Sequence, residues 1–288
     1  MAHHAVGHEE GLWRPEWPVA AILAVSLWSY VRGVRRLWRT ASRNRGLRWG
    51  EIACFIAGWL VVAAALMPPV HTLGEALFSV HMVEHELLMA VAAPLLVLGR
   101  PLIAFLWAMP QSARRHLGSL PAAHPIRATW LFATSALAAW TIHAIILWVW
   151  HLPVLFAAAL TSELVHSLQH VCFLGAALLY WTSLLRGRRD AEGRGAAVIS
   201  LFATTLQSGM LGALLTLGTV TWYPFYAGRS AAWGLTALED QQLAGLVMWV
   251  PGGLVYMGAA LALAAAWLAD SEAKTRRWEA ALAKERHP

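Results

Sequence analysis

Residues 79–100 read SVHMVEHELLMAVAAPLLVLGR. After Glu86 no charged residue appears until Arg100. Taken over 75–98, the stretch is long enough to cross a hydrocarbon core about 30 Å thick, which requires about 20 residues of helix. Its opening turns nevertheless carry His81, Glu84, His85 and Glu86. Ionisable groups inside a span are costly, and they usually face a bundle interior or a watery cavity. This one stretch therefore points both to the class of fold and to the place where function should be sought.

Working outward, six more apolar stretches of comparable length occupy 16–33, 51–68, 127–150, 163–185, 196–221 and 241–269. Apolar residues make up 58% of the 288-residue chain and charged residues 13%, against about 25% charged in a soluble domain. A soluble protein of this size lacks the interior to hide so much apolar surface. Seventeen tryptophans suit the two membrane–water interfaces, where Trp concentrates. The expected fold is all-α, an integral membrane bundle of seven transmembrane helices. The expected divisions are an external His-rich tail (1–15), a seven-helix transmembrane domain (16–270) and a cytoplasmic basic tail (271–288). Residues 102–109 are too short and too Pro-bounded to span, so they read as an interfacial or re-entrant piece. Residues 152–162 read as a surface segment leading into the fifth span.

A formal charge of +6 raises the question of a nucleic-acid partner, and the placement of the charges answers it in the negative. Of the 22 Lys and Arg, 20 lie in the first, third and fifth connections and the C-terminal tail. Only Arg14 and Arg229 fall on the opposite side. The positive-inside rule then puts the N-terminus outside and the C-terminus in the cytoplasm. An odd number of spans agrees with that split. The N-terminus lacks a basic n-region and a small-residue cleavage site, so the first span is expected to remain as an anchor. Cys54 and Cys172 lie within apolar runs with no CxxC, and read as small packing residues.

The polar residues inside spans gather at one end. On a helix, His85 lies about 40° from His81, Met89 about 80° and Met82 about 100°. The fifth span repeats the pattern with His166 and His170, and Glu163 falls on the same stripe. His143 and His151 close the fourth span, and Asp240, Gln241 and, further along, Met248 open the seventh. A single intramembrane His usually packs with a hydrogen bond across helices, which is the simplest reading of His143 or His151 alone. Two His pairs at i, i+4 can each hold a metal ion. Imidazole suits zinc, copper and iron, and thioether adds a preference for Cu(I). Glu84 and Glu163 would fix the His tautomers. There is no HExxH motif for zinc hydrolysis and no Gly-rich phosphate loop. The 85-residue offset between the pairs, with Glu84 and Gln169 in matching places, is compatible with a parallel duplication. The N-terminal Met-Ala-His has the arrangement to bind Cu(II), although a casual His-rich tail is the simpler account.

Three segments resemble the signatures of a known family. HMVEHELLMAVAAPLLVLGRP from His81, Trp150-His151-Leu152-Pro153 followed by HSLQH, and LEDQQLAGLVMWVPGGLVY occur in order over most of 70–265. They resemble the multi-span CtaG family of cytochrome c oxidase assembly factors, first associated with caa-type oxidases. Glu84 stands where the family pattern leads one to expect Gln. The resemblance implies a non-enzymatic assembly factor, a metallochaperone of the respiratory chain in the bacterial inner membrane. It would carry copper, with Cu(I) favoured, to a cytochrome c oxidase subunit. A periplasmic copper donor and membrane lipid would be its other partners, and nucleic acid would not be one. The residues implicated by motif are His81, Met82, His85, His151, His166, His170 and Asp240. Two other classes remain open on the sequence: a haem-binding electron carrier with axial His ligands, and a proton or ion transporter using the intramembrane His and Glu residues.

Overall fold

The computed structural model describes residues 16–41, 44–119, 124–187 and 191–286. The predicted external tail, 1–15, lies outside them. Among the described residues the chain is helical, with no strand. Six helical stretches are long and apolar enough to cross a membrane, or seven if one bent pair counts as a single span. The protein is a multi-pass membrane protein.

The first helix, α1 (Trp17–Ala41), runs past the predicted end at 33, so Arg32, Arg35, Arg36 and Arg39 ride on helix rather than in a loop. Helix α2 (Trp49–Leu66) ends before Pro68 and Pro69, and the short α3 (Val70–Ala76) follows. The third span is composite: α4 (Phe78–Glu86), a π-helical turn (Leu87–Ala92) and α5 (Ala93–Gly99). Pro94 accounts for part of that turn. It has no N–H, so in the wider π register the carbonyl of Met89 loses its partner. The Trp181 indole supplies one at 2.9 Å. Next come α6 (Pro101–Ala108), the short helix expected at 102–109, and α7 (Gln111–Ser119).

The fourth span departs from expectation. Predicted as continuous over 127–150, it is α8 (His124–Ala133) and α9 (Ala136–Trp150), bent by 67° between them. The Thr134 and Ser135 hydroxyls donate to the carbonyls of Trp130 and Phe132, each at 2.7 Å. Such local bonds compete with the helix ladder, and Ser135 is extended (φ −68°, ψ 148°).

Helix α10 (Pro153–Thr161) precedes α11 (Glu163–Arg186), the fifth span, and α12 (Ala191–Thr216), the sixth. The sixth ends before the predicted 221 because the seventh span's amides hold the chain that follows. Gln242 Nε2 donates to Gly218 O at 3.2 Å, and Gln241 Nε2 donates to Val220 O at 3.1 Å. The seventh span is α13 (Ala237–Val247), a π turn (Met248–Gly252) containing Pro251, and α14 (Gly253–Arg286). Helix therefore continues through most of the predicted basic tail.

The third span sits at the centre, against α2, α11 and α13. Polar groups point inward: His81, Glu84, Gln169 and Asp240 are fully buried, whereas Leu164 is 80% exposed and Leu137 74%. That reversal suits an apolar solvent. At the end away from the histidines, arginines satisfy terminal carbonyls. Arg186 donates to Val97 O at 2.7 Å, and Arg36 donates to Ala108 O at 2.8 Å.

Candidate metal centre

Helices α4 and α11 run in the same direction and bring the two His pairs together. The His81 and His85 rings lie 4.4 Å apart, centroid to centroid, on α4, and His166 and His170 lie 4.4 Å apart on α11. Across the helices His81 stacks on His166 at 5.1 Å, and His85 meets His170 at 5.5 Å. His151, just past the end of α9, approaches His85 at 6.3 Å.

His71 on α3 joins the cluster, and the sequence reading missed it. Its ring stacks on His166 at 5.2 Å, and its Nδ1 lies 2.8 Å from Glu84 Oε1. It falls between the apolar stretches 51–68 and 75–98, where hydropathy gives no alert. A sixth histidine at the same end of the chain's spans was the only available signal.

Glu84 is more central than expected. His81, Glu84 and His166 each offer a ligand atom, and the three lie within 4.8 Å of one another. Glu84 Oε1 is also 3.4 Å from His170 Nε2, but the alignment is too poor for a hydrogen bond, and that nitrogen has no partner. Both ring nitrogens of His81 and of His85, His166 Nε2 and Glu84 Oε2 are likewise buried without partners. Buried polar atoms are normally paired, and each orphan costs about 1–3 kcal/mol. This concentration of lone-pair groups fits a bound cation.

His151 adds a soft half to the donor set. Its Nδ1 lies 2.7 Å from Leu147 O. A carbonyl only accepts, so Nδ1 carries the proton and Nε2 keeps its lone pair in the neutral tautomer. Nε2 faces Met82 Sδ at 3.4 Å, and sulfur has no hydrogen to give. With metal–ligand bonds of about 2.0–2.3 Å, two ligands of one ion can stand that far apart.

Other expected site residues take different positions. Asp240 approaches the cluster's helix as anticipated but serves as its cap: it accepts from Phe78 N (2.6 Å), Ser79 N (3.0 Å) and Ser79 Oγ (2.6 Å). The two backbone donors are orphan amides at the start of α4. Gln241 accepts from Trp222 N at 2.6 Å and so pins the loop over the site. From that loop Tyr223 donates to His151 O at 2.7 Å, and Tyr226 donates to Gly74 O at 3.1 Å. His143 lies against Tyr180 at 4.8 Å, about 12 Å along α9 from His151 at 1.5 Å per residue. Met248 packs in the apolar core with Met89. Glu163 is exposed on the first turn of α11 and makes no hydrogen bond or ion pair with the histidines among the described residues. The expectation that it fixes a His tautomer is corrected: Glu163 lies outward, and it is Glu84 that reaches an imidazole.

Fold and cluster together define a multi-pass membrane protein with a histidine-lined centre near one end of its bundle. Residues 28–270 match the family described as cytochrome c oxidase caa3 assembly factor (CtaG). The chain belongs to that family. Similar curated proteins are uncharacterised ones of Mycobacterium bovis and Mycobacterium tuberculosis, each 25% identical over 269 residues, and one of Mycobacterium leprae, 27% identical over 270 residues. Each alignment covers 89% of this chain but 39% of the relative, so this chain spans about two-fifths of those proteins' length. No solved structure matches the chain.

Proposed function

We propose that this protein is a non-enzymatic assembly factor for a haem–copper cytochrome c oxidase. In this reading it holds copper, as Cu(I), between the third and fifth spans and passes it to the oxidase catalytic subunit. Membership of the cytochrome c oxidase caa3 assembly factor family supports the assembly role. The copper role rests on one observation: imidazole nitrogens from two helices, orphaned and buried, converge beside a thioether. Imidazole with thioether and no thiolate suits Cu(I), and ligands of this kind exchange more readily than a thiolate cage. His81 and His166 stack ring on ring, which favours a small ion over a macrocycle between them.

In this reading His81, His85, His166 and His170 carry the ion, with Glu84, His151 and Met82 completing or relaying it. His71 orients Glu84. The histidines lie near the end of the bundle that the positive-inside reading turns outward, where a periplasmic donor would deliver copper.

Copper per protein, measured for His81→Ala/His85→Ala and for His166→Ala/His170→Ala, tests this directly. A shared site predicts that either double variant loses most of its copper and fails to mature the oxidase in cells lacking the native protein. Retention of about half the metal in each, the value for two independent two-ligand sites, would indicate separate centres. Full copper binding with full oxidase maturation in both would overturn the copper role.

A further inference from the structure

At the end of the bundle away from the histidines, the chain builds a second polar site with a different chemistry. Arg45 and Arg48 before α2, Arg100 after the third span and Arg186 at the end of the fifth line one cleft of about 550 Å³, with Glu51 as the one carboxylate among its described lining residues. Glu51 Oε1 engages Arg100 Nη1 at 3.2 Å. Arg45, Arg48 and Arg100 against Glu51 leave the described lining cationic. Two of the lining arginines are held in place, Arg100 by Glu51 and Arg186 by the carbonyls of Val97 and Leu98.

Arg100 and Arg186 also line a second cavity, of about 500 Å³, whose other walls are apolar and include Leu96, Ile103, Trp130, Leu178 and Leu179. It runs between the third and fifth spans on the bundle's outer surface. A cationic cleft thus continues into a greasy groove, with two arginines common to both. Guanidinium forks suit phosphate oxygens. By the positive-inside reading this end faces the cytoplasm, where anionic lipids concentrate and basic pockets between spans bind their head groups.

We propose that this is a binding site for one anionic phospholipid, with its phosphate in the arginine cleft and an acyl chain along the groove. A free phosphate would use only the cleft, and a zwitterionic lipid would bring a cation back into it. The bound lipid would tie the ends of the second, third and fifth spans together, independently of any metal at the other end.

The test titrates the full chain in neutral detergent with phosphatidylglycerol, with phosphatidylcholine of the same chains and with inorganic phosphate, counting bound lipid by native mass spectrometry. Phosphatidylglycerol should bind once per protein, about tenfold or more tighter than phosphatidylcholine. Arg45→Gln/Arg48→Gln should weaken it by about tenfold or more, at about 1 kcal/mol per arginine. Gly175 lines the groove, and a Cβ there meets no atom within 4 Å, so Gly175→Leu fills the groove without a clash. It should weaken phosphatidylglycerol while leaving the arginines untouched. Equal binding of both lipids would overturn the proposal. So would phosphatidylglycerol binding that survives Gly175→Leu but is displaced by inorganic phosphate, which marks a phosphate site alone.

Discussion

Asp240 accepts three hydrogen bonds from Phe78 and Ser79, although it stands on the seventh span and they begin the third. Its carboxylate is occupied by amides, which separates its role from that of the histidines below it. Asp240→Ala should destabilise the protein by about 1–3 kcal/mol, the cost of buried donors left unpaired, while copper per folded protein stays unchanged. Thermal unfolding in detergent together with elemental analysis would show it. Copper loss without a change in melting would instead make Asp240 a ligand. His71 makes the opposite case, a residue between the apolar stretches 51–68 and 75–98 of the sequence that holds Glu84 at 2.8 Å. His71→Ala should weaken copper binding by about 10–100-fold, the usual effect of removing a ligand's supporting partner. Competition with a Cu(I) chelator measures it, and unchanged affinity would remove His71 from the site.

Between elements, two spans carry π turns, Leu87–Ala92 in the third and Met248–Gly252 in the seventh. The first precedes Pro94 and the second contains Pro251, and both follow the turns that carry the polar residues. The apolar periodicity of these segments predicts helix and says nothing of the wider turn, which depends on where a freed carbonyl finds a donor. For Met89 that donor is Trp181, on another span. Trp181→Phe keeps the ring's bulk but orphans the carbonyl, and should cost about 1–3 kcal/mol in a denaturation series. A second contact relies on the absence of a side chain. A Cβ at Gly245 on α13 would strike the backbone of Gly212 and Thr216 on α12, the close approach that small residues permit between membrane helices. Gly245→Leu should therefore loosen the sixth and seventh spans and lower the melting temperature. Gly258→Leu, in open space, should not. Equal effects would mean that the bulk of the new residue matters more than the contact.

At the scale of the whole molecule, the division of Lys and Arg predicts an orientation: histidines toward the outer face, arginines toward the cytoplasm. A reporter fused after Pro288 should read cytoplasmic, and one inserted in the 223–238 loop should read external. The reverse result would place the histidine cluster on the wrong side for a periplasmic donor.

Membrane character, helical class and the two His pairs were legible in the sequence because each follows from a local rule. A span needs about 20 apolar residues, and residues i and i+4 share a helix face whatever surrounds them. The break at Thr134 and Ser135 was hidden because hydropathy averages over a window, whereas two hydroxyls decide the bend. Glu163 and Glu84 looked alike in sequence, each beside a His pair. Only the packing of the third span inside the bundle turned Glu84 inward, while Glu163 stayed on the rim. His71, the capping role of Asp240 and the arginine cleft belong to the same class of fact. Each brings together residues from distant segments, and no periodicity within one segment records which other segment will lie against it.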